Sequence, residues 1–155
     1  MWALVLLVGT SPMAADDSHK EAALTPDECV AASGLSAREV AVGKTAISDR
    51  ATTVGFKVER VFIPTGSQPP GTELPIGLVA KPLKEGSVPF SILLMGDIPG
   101  TLRRVGISQP EEHFVGRHVE VRGKVRKYPA SPGVVGARPT YQVWVENLSD
   151  FQVVQ

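Results

Sequence analysis

The chain has 155 residues, with 16 basic and 16 acidic side chains, 43% hydrophobic residues and 6% aromatic residues. This length and apolar content predict one globular domain and exclude a disordered chain. Fifteen glycines and 13 prolines are too many for a long helical bundle. The net charge of zero excludes a global field that attracts nucleic acid. Residues 101–155 nevertheless carry eight basic and five acidic side chains, which predicts a local basic face.

The chain opens with an apolar run, Trp2–Gly9, which is followed by the small residues Ala14 and Ala15. The run is far shorter than the ~20 residues that a membrane-spanning helix needs. An apolar run before a cleavage zone of small residues is the order of a secretory signal peptide. We therefore expect residues 1–15 to be removed, with no stable membrane insertion afterwards, and the mature protein to be periplasmic or secreted. A buried N-terminal strand is the alternative.

Residues 16–48 predict an N-terminal extension with a short helix. Thr25 and Glu28 have the spacing of a capping box, which predicts a helix from Pro26 to about Ser33 that stops at Gly34. The extension is too short to form a domain of its own, so we expect it to pack on the remainder of the chain.

Alternating apolar residues predict five strands within residues 49–155. The segments are Thr52–Ile63, Leu74–Lys81, Val88–Met95, Arg117–Lys127 and Thr140–Glu146. In the first strand the alternation changes phase near Glu59, which predicts a β-bulge with Val61 and Ile63 facing the core beyond it. The expected core takes residues from four strands: Phe56, Val58, Phe90, Ile92, Val119, Val121, Val143 and Val145.

A helical connection is predicted between the third and fourth strands, with Leu102, Val105 and Ile107 facing inward. Ser108 and Glu111 repeat the capping-box spacing ahead of a second helical turn. Three strands, a helical connection and two strands follow the order of the OB-fold, a five-stranded Greek-key barrel. The predicted fold class is therefore mainly β, with an OB-fold-like barrel over residues 49–155.

Three segments carry a resemblance to a known group of proteins. They are FVGRHVEVRGKV (Phe114–Val125), GARP (Gly136–Pro139) and the strand TYQVWVENLSDFQVV that follows. These segments resemble the second half of OB-fold domains in uncharacterised bacterial extracytoplasmic proteins, and the resemblance extends over about Val42–Val154. It implies the fold and names no catalytic residues.

The strongest functional signal lies in the predicted strand Arg117–Lys127. Alternation places Arg122, Lys124 and Arg126 on one outer face, and a hairpin with the next strand sets Trp144 beside them. A stacking aromatic beside cations is how OB-folds hold single strands. Solubility and edge protection also explain basic residues on an outer strand face. The candidate ligand-binding residues are Arg122, Lys124, Arg126, Lys127 and Trp144.

The sequence contains no motif that predicts a catalytic, phosphate-binding or metal site, so we expect neither an enzyme nor a cofactor. Gly43-Lys44-Thr45 resembles the end of a phosphate loop, but Arg38 stands where the required glycine belongs. His113 and His118 have no third metal ligand near them. Cys29 is the only cysteine, so it forms no intramolecular disulfide, and we expect a small buried side chain.

The expected function is that of an exported, non-catalytic OB-fold binding module. Its ligand is expected to be oligomeric or anionic, either single-stranded nucleic acid or a glycan. The alternative is a structural or protein–protein interaction domain in the cell envelope.

Overall fold

The computed structural model describes residues 22–64 and 73–154, and the predicted signal peptide lies outside them. The described helices are α1 (Pro26–Ser33), α2 (Ile98–Arg104) and α3 (Pro110–Phe114), with a 3-10 turn at Leu148–Asp150. The described strands are β1 (Ala46–Ile47), β2 (Thr52–Phe62), β3 (Ile76–Ala80), β4 (Phe90–Leu94), β5 (His118–Gly123), β6 (Val125–Tyr128), β7 (Thr140–Val145) and β8 (Phe151–Val153). None of the helices in these two ranges has the length and apolar character that crossing a bilayer requires.

The strands form one mixed sheet in the order β1-β6-β7-β4-β3-β2-β5-β8. The β4–β7 pair is parallel and the other pairs are antiparallel. The prediction of a mainly β fold is confirmed, but the sheet has eight strands where five were expected, and its ladder ends at β1 and β8. Two of the added strands are short edge strands. The third arises because the predicted strand Arg117–Lys127 divides at Lys124 into β5 and β6.

The core contains all eight side chains of the expected core set. Each of them is at most 3% exposed, and all belong to one cluster: Phe56, Val58, Phe90, Ile92, Val119, Val121, Val143 and Val145. The rings of Phe56 and Phe90 meet edge to face with their centroids 6.0 Å apart. Period-two alternation was sufficient here because one face of each strand is buried.

The predicted bulge in β2 is confirmed by a register shift against β3. Val58 pairs with Ala80, but Arg60 pairs with Val79, so one extra residue lies on β2 between these pairs. Val61 packs against the core as expected. The prediction that Ile63 faces inward was wrong, because β2 ends at Phe62 and Ile63 is 42% exposed beyond it.

Helix α1 has the bounds that the sequence predicted. Thr25 Oγ1 accepts a hydrogen bond from the Glu28 amide, Glu28 Oε1 accepts one from the Thr25 amide, and Gly34 ends the helix in the left-handed conformation. Cys29 of this helix is fully buried in the central cluster. Asp27 Oδ1 accepts a hydrogen bond from the Val88 amide at 2.9 Å. The N-terminal extension is thus part of the same core as the sheet.

The two helices between β4 and β5 differ from their prediction in detail. Leu102 is buried as expected, but Val105 is 67% exposed because α2 ends at Arg104 and Val105 already lies past its last turn. The expected Ser108–Glu111 capping box does not form. Gln109 is the N-cap of α3 and makes no side-chain capping hydrogen bond.

Candidate binding surface

Three cations of the predicted surface alternate with core residues along β5 and β6. Arg122 and Lys124 are exposed and Arg126 is half-buried, whereas the neighbouring Val121 and Val125 are buried. The alternation therefore continues through Lys124, even though the strand is divided there. We call Arg122, Lys124, Arg126 and Trp144 the basic–aromatic face.

The contact that defines this face joins Arg126 to Trp144. Arg126 lies opposite Gln142 in the β6–β7 register, which makes Trp144 its diagonal neighbour on the same side of the sheet. The Arg126 guanidinium carbon lies 3.6 Å from the centre of the Trp144 ring. This distance is well within the ~6 Å range of a cation–π contact. The structure thus places these two predicted residues together.

A chain of side-chain hydrogen bonds fixes the edge of the indole. Trp144 Nε1 donates to Gln142 Oε1 at 2.9 Å, and Gln142 Nε2 donates to Ser91 Oγ at 3.1 Å. These bonds run along β7 and across to β4, where Ser91 pairs with Gln142. The indole is held by its edge and covered by Arg126, so its orientation is set before any ligand arrives.

The stacking arrangement differs from the one expected of an aromatic binding platform. Because the guanidinium lies on the Trp144 ring, a ligand at this position meets the guanidinium before it meets the indole. A stacked guanidinium keeps its N–H groups in its own plane, where they can form two parallel bonds to a phosphate or carboxylate. The arrangement is therefore better suited to holding an anionic group than to stacking a base directly on Trp144.

Lys127 does not belong to this face. It is 5% exposed and its ammonium donates to the backbone carbonyls of Leu35 at 2.9 Å, Ser36 at 3.1 Å and Arg38 at 2.5 Å. An ammonium has three donors, so these bonds use all of them. Lys127 therefore lies apart from the other candidate residues and fastens the N-terminal extension to β6 from the inner side of the sheet.

The same outer face continues onto strands that the sequence did not implicate. One row of paired residues crosses four neighbouring strands, β2, β3, β4 and β7. The residues in this row are Phe62, Gly77, Leu93 and Trp144. A Cβ atom built on Gly77 would lie 2.2 Å from Phe62 Cε1, so the phenyl ring covers this glycine. The bulge at Glu59 turns Phe62 outward, and it was the one sequence signal that could have revealed this residue.

The His, Cys, Asp and Glu side chains of the described residues are the candidates for holding a metal ion. No three His, Cys, Asp or Glu side chains come together to hold a metal ion within residues 22–64 and 73–154. The Cys29 thiol lies 3.1 Å from Thr52 Oγ1, and burial raises its pKa above the ordinary value of 9.0. Burial and the nearby Arg117 lower the pKa of His113.

Comparison with known proteins leaves the family open. No protein-family model matches the chain, and no curated protein sequence matches it.

Proposed function

We propose that this protein is a non-catalytic binding module for an anionic oligomer and that it binds through the basic–aromatic face. The observation that carries the proposal is the Arg126 guanidinium stacked 3.6 Å from the Trp144 ring. The indole holds the guanidinium in place, so less side-chain entropy is lost when an anion binds. Lys124 is exposed beside this pair and adds a second positive charge.

The repeating negative groups of single-stranded nucleic acid or of an acidic glycan fit such a face. Arg126 would form two parallel bonds with one phosphate or carboxylate, and Lys124 and Arg122 would attract the groups that follow along the chain. Since the face has three cations, the affinity should fall with salt at a slope of about two to three ion contacts.

We further propose an OB-type barrel for the fold, in the group of bacterial extracytoplasmic domains that the sequence resembles. Lys124 alone separates β5 from β6, so the two can act as one bent strand. Counted as one strand, β5 and β6 would pair with β2 along one part and with β7 along the other, and this would close the strands between them into a barrel. A Cβ atom on Gly123 would lie 2.6 Å from Val143 Cγ1, and this close approach supports a bend there.

Export completes the proposal and rests on the sequence of residues 1–15. N-terminal sequencing of the protein from its native host should give a mature start between Ala14 and Asp17. A protein that still begins at Met1 would contradict export without touching the binding proposal.

The binding experiment is a titration of the mature protein at two salt concentrations. The probes are a single-stranded oligonucleotide, an acidic glycan oligomer and a neutral glycan oligomer. We expect the two anionic probes to bind at low salt and the neutral one to bind at least tenfold more weakly. Arg126→Gln should cost about 1–3 kcal/mol of binding free energy because it removes the bidentate donor.

Two variants separate the roles of Arg126 and Trp144. Trp144→Leu should weaken binding less than Arg126→Gln does, because the cation remains and only its support is lost. Lys84→Gln is the matched control, since Lys84 is an exposed cation in the β3–β4 connection. Anionic binding that survives both changes on the face would place the site elsewhere.

A protein-interaction domain of the cell envelope remains the second candidate, and one observation favours it. Val134 and Val135 are 58% and 102% exposed in the connection between β6 and β7. Adjacent exposed valines at the tip of a connection suit an apolar protein contact. Capture of an envelope protein that depends on these valines and is insensitive to salt would favour this function over the first.

A further inference from the structure

A second candidate binding site lies where the end of β2 and the start of β3 meet α2. Here a cavity of about 580 Å³ is lined by the apolar side chains of Ile63, Leu74, Ile76, Pro99 and Ile107. None of the four residues of the basic–aromatic face lines it. Its volume falls within the ~300–1,000 Å³ that small-molecule sites occupy.

The wall of this cavity has unusually accessible apolar side chains. Ile76 at its base is 5% exposed, whereas Ile63 and Leu74 nearer the opening are 42% and 43% exposed. Removing such surface from water is favourable in proportion to its area. A ligand with an apolar body would therefore gain affinity by covering the side chains that the fold leaves open.

The rim of the cavity is charged. Arg103 and Glu73 form an ion pair there, and their side chains are 54% and 39% exposed. The hydrogen bond from Arg103 holds the pKa of the Glu73 carboxyl below its usual range, and the charge of Arg104 acts in the same direction. Among the described residues, Arg103 is the one cation that lines the cavity, and its exposed guanidinium can pair with an anionic head group.

We propose that this cavity binds an amphiphilic monocarboxylate. Its apolar body lies against Ile76 and Ile107, and its carboxylate takes the place of Glu73 on Arg103. The exchange is inexpensive because an ion pair between exposed side chains contributes little in water. The cavity has the volume of roughly twenty water molecules at ~30 Å³ each, which suits a chain of medium length.

The first experiment maps the site in the unaltered protein with octanoate as the probe. Amide resonances of Ile76 and Ile107 should shift on titration, and those of Arg126 and Trp144 should stay in place. The reverse pattern would overturn the proposal, since octanoate would then be binding as an anion to the basic–aromatic face.

The second experiment fills the cavity. Ile107→Trp places a larger side chain in the lining and should weaken octanoate binding at least tenfold by calorimetry. Val105→Trp is its matched control, because Val105 lies two residues away, is 67% exposed and does not line the cavity. Equal affinity in the two folded variants would overturn the site.

The third experiment tests the head group by comparing octanoate with octan-1-ol. Glu73→Gln should strengthen octanoate binding about two- to fivefold because it leaves Arg103 without a competing carboxylate. Arg103→Gln should weaken it by a similar factor, and neither change should alter the affinity for octan-1-ol. If octanol followed octanoate through both variants, the role of Arg103 would be refuted.

Discussion

Replacing Lys127 by methionine tests whether a buried ammonium holds the N-terminal extension on the sheet. Methionine keeps an unbranched, flexible side chain of similar length, so most of the packing of the stem is retained. The three hydrogen bonds to the carbonyls of Leu35, Ser36 and Arg38 are lost. Hydrogen bonds to charged groups contribute ~1.5–3 kcal/mol each.

The net effect is smaller than that sum, for two reasons. Burying an ammonium costs several kcal/mol, and this cost disappears in the variant. Ser36 and Arg38 are exposed, so water can reach their carbonyls, whereas Leu35 is 1% exposed. The Leu35 carbonyl keeps the hydrogen bond from the Arg38 amide, so none of the three carbonyls is left without both a protein partner and water. We therefore expect Lys127→Met to lower the free energy of unfolding by about 2–4 kcal/mol.

Urea denaturation measures this change directly. With a slope of ~2 kcal/mol/M, the midpoint should fall by about 1–2 M. Lys124→Met is the control, because Lys124 is exposed and should lose no more than ~0.5 kcal/mol. The Arg38 amide, which donates to the Leu35 carbonyl at 3.0 Å, should also exchange faster with solvent in Lys127→Met. If the two variants unfold at the same midpoint, the Lys127 bonds do not stabilise the fold.

Three further changes test the core and the outer face. Val121→Asp should unfold the protein, since an unpaired carboxylate at a 1% exposed position costs several kcal/mol. Circular dichroism measures this, and a variant that melts like the parent would refute the assignment of Val121 to the core face. Gly77→Ala should lower the free energy of unfolding in urea by about 1–3 kcal/mol because the added Cβ meets the Phe62 ring. Adding Phe62→Ala should remove most of this loss in the double variant, whereas additive losses would argue against the contact. The Cys29 pKa is raised by burial, so the folded state retains its proton longer than the unfolded state, and the contribution of Cys29 to stability should be constant below about pH 9 and fall above it. Cys29→Ala should reduce the alkaline loss and leave the part that comes from Tyr141, whose pKa burial also raises. An unchanged pH profile in this variant would assign the whole loss to other groups.

Features set by neighbouring residues could be predicted from the sequence. Helix α1 was predicted within its observed bounds because its cap, first-turn proline and terminal glycine all lie within ten residues. The core residues of the strands followed from alternation alone. The bulge in β2 was also visible, since a phase change in the apolar pattern is a local property.

Features set by distant contacts could not be predicted. Lys127 occupies an inward position of β6, but its charge favoured an outward assignment, and the carbonyls that accept its bonds lie about 90 residues earlier. The number of strands was underestimated because β1 and β8 are only two and three residues long. Such strands form by pairing with β6 and β5 and have no alternation of their own to detect.

The candidate surface was predicted in part. Arg126 and Trp144 were placed together because they belong to consecutive strands of a hairpin, where register follows from sequence. The way in which they meet could not be deduced, because alternation gives the side of the sheet and not the rotamer. Phe62 was missed because the parallel β4–β7 pair, which brings its face next to Trp144, joins strands about 50 residues apart.

Arg126 and Lys127 are neighbours on β6, so one strand takes part both in docking the N-terminal extension and in forming the basic–aromatic face. Lys127 reaches the carbonyl of Leu35 across 92 residues, and Val125 reaches Ser48 across 77. At a synthesis rate of ~5–20 residues per second, β6 leaves the ribosome roughly 5–20 s after α1. That strand presents Arg126 to Trp144 on its opposite side. Docking of the N-terminal extension and completion of the basic–aromatic face therefore both depend on β6, and a chain in which β6 has not formed would lack both.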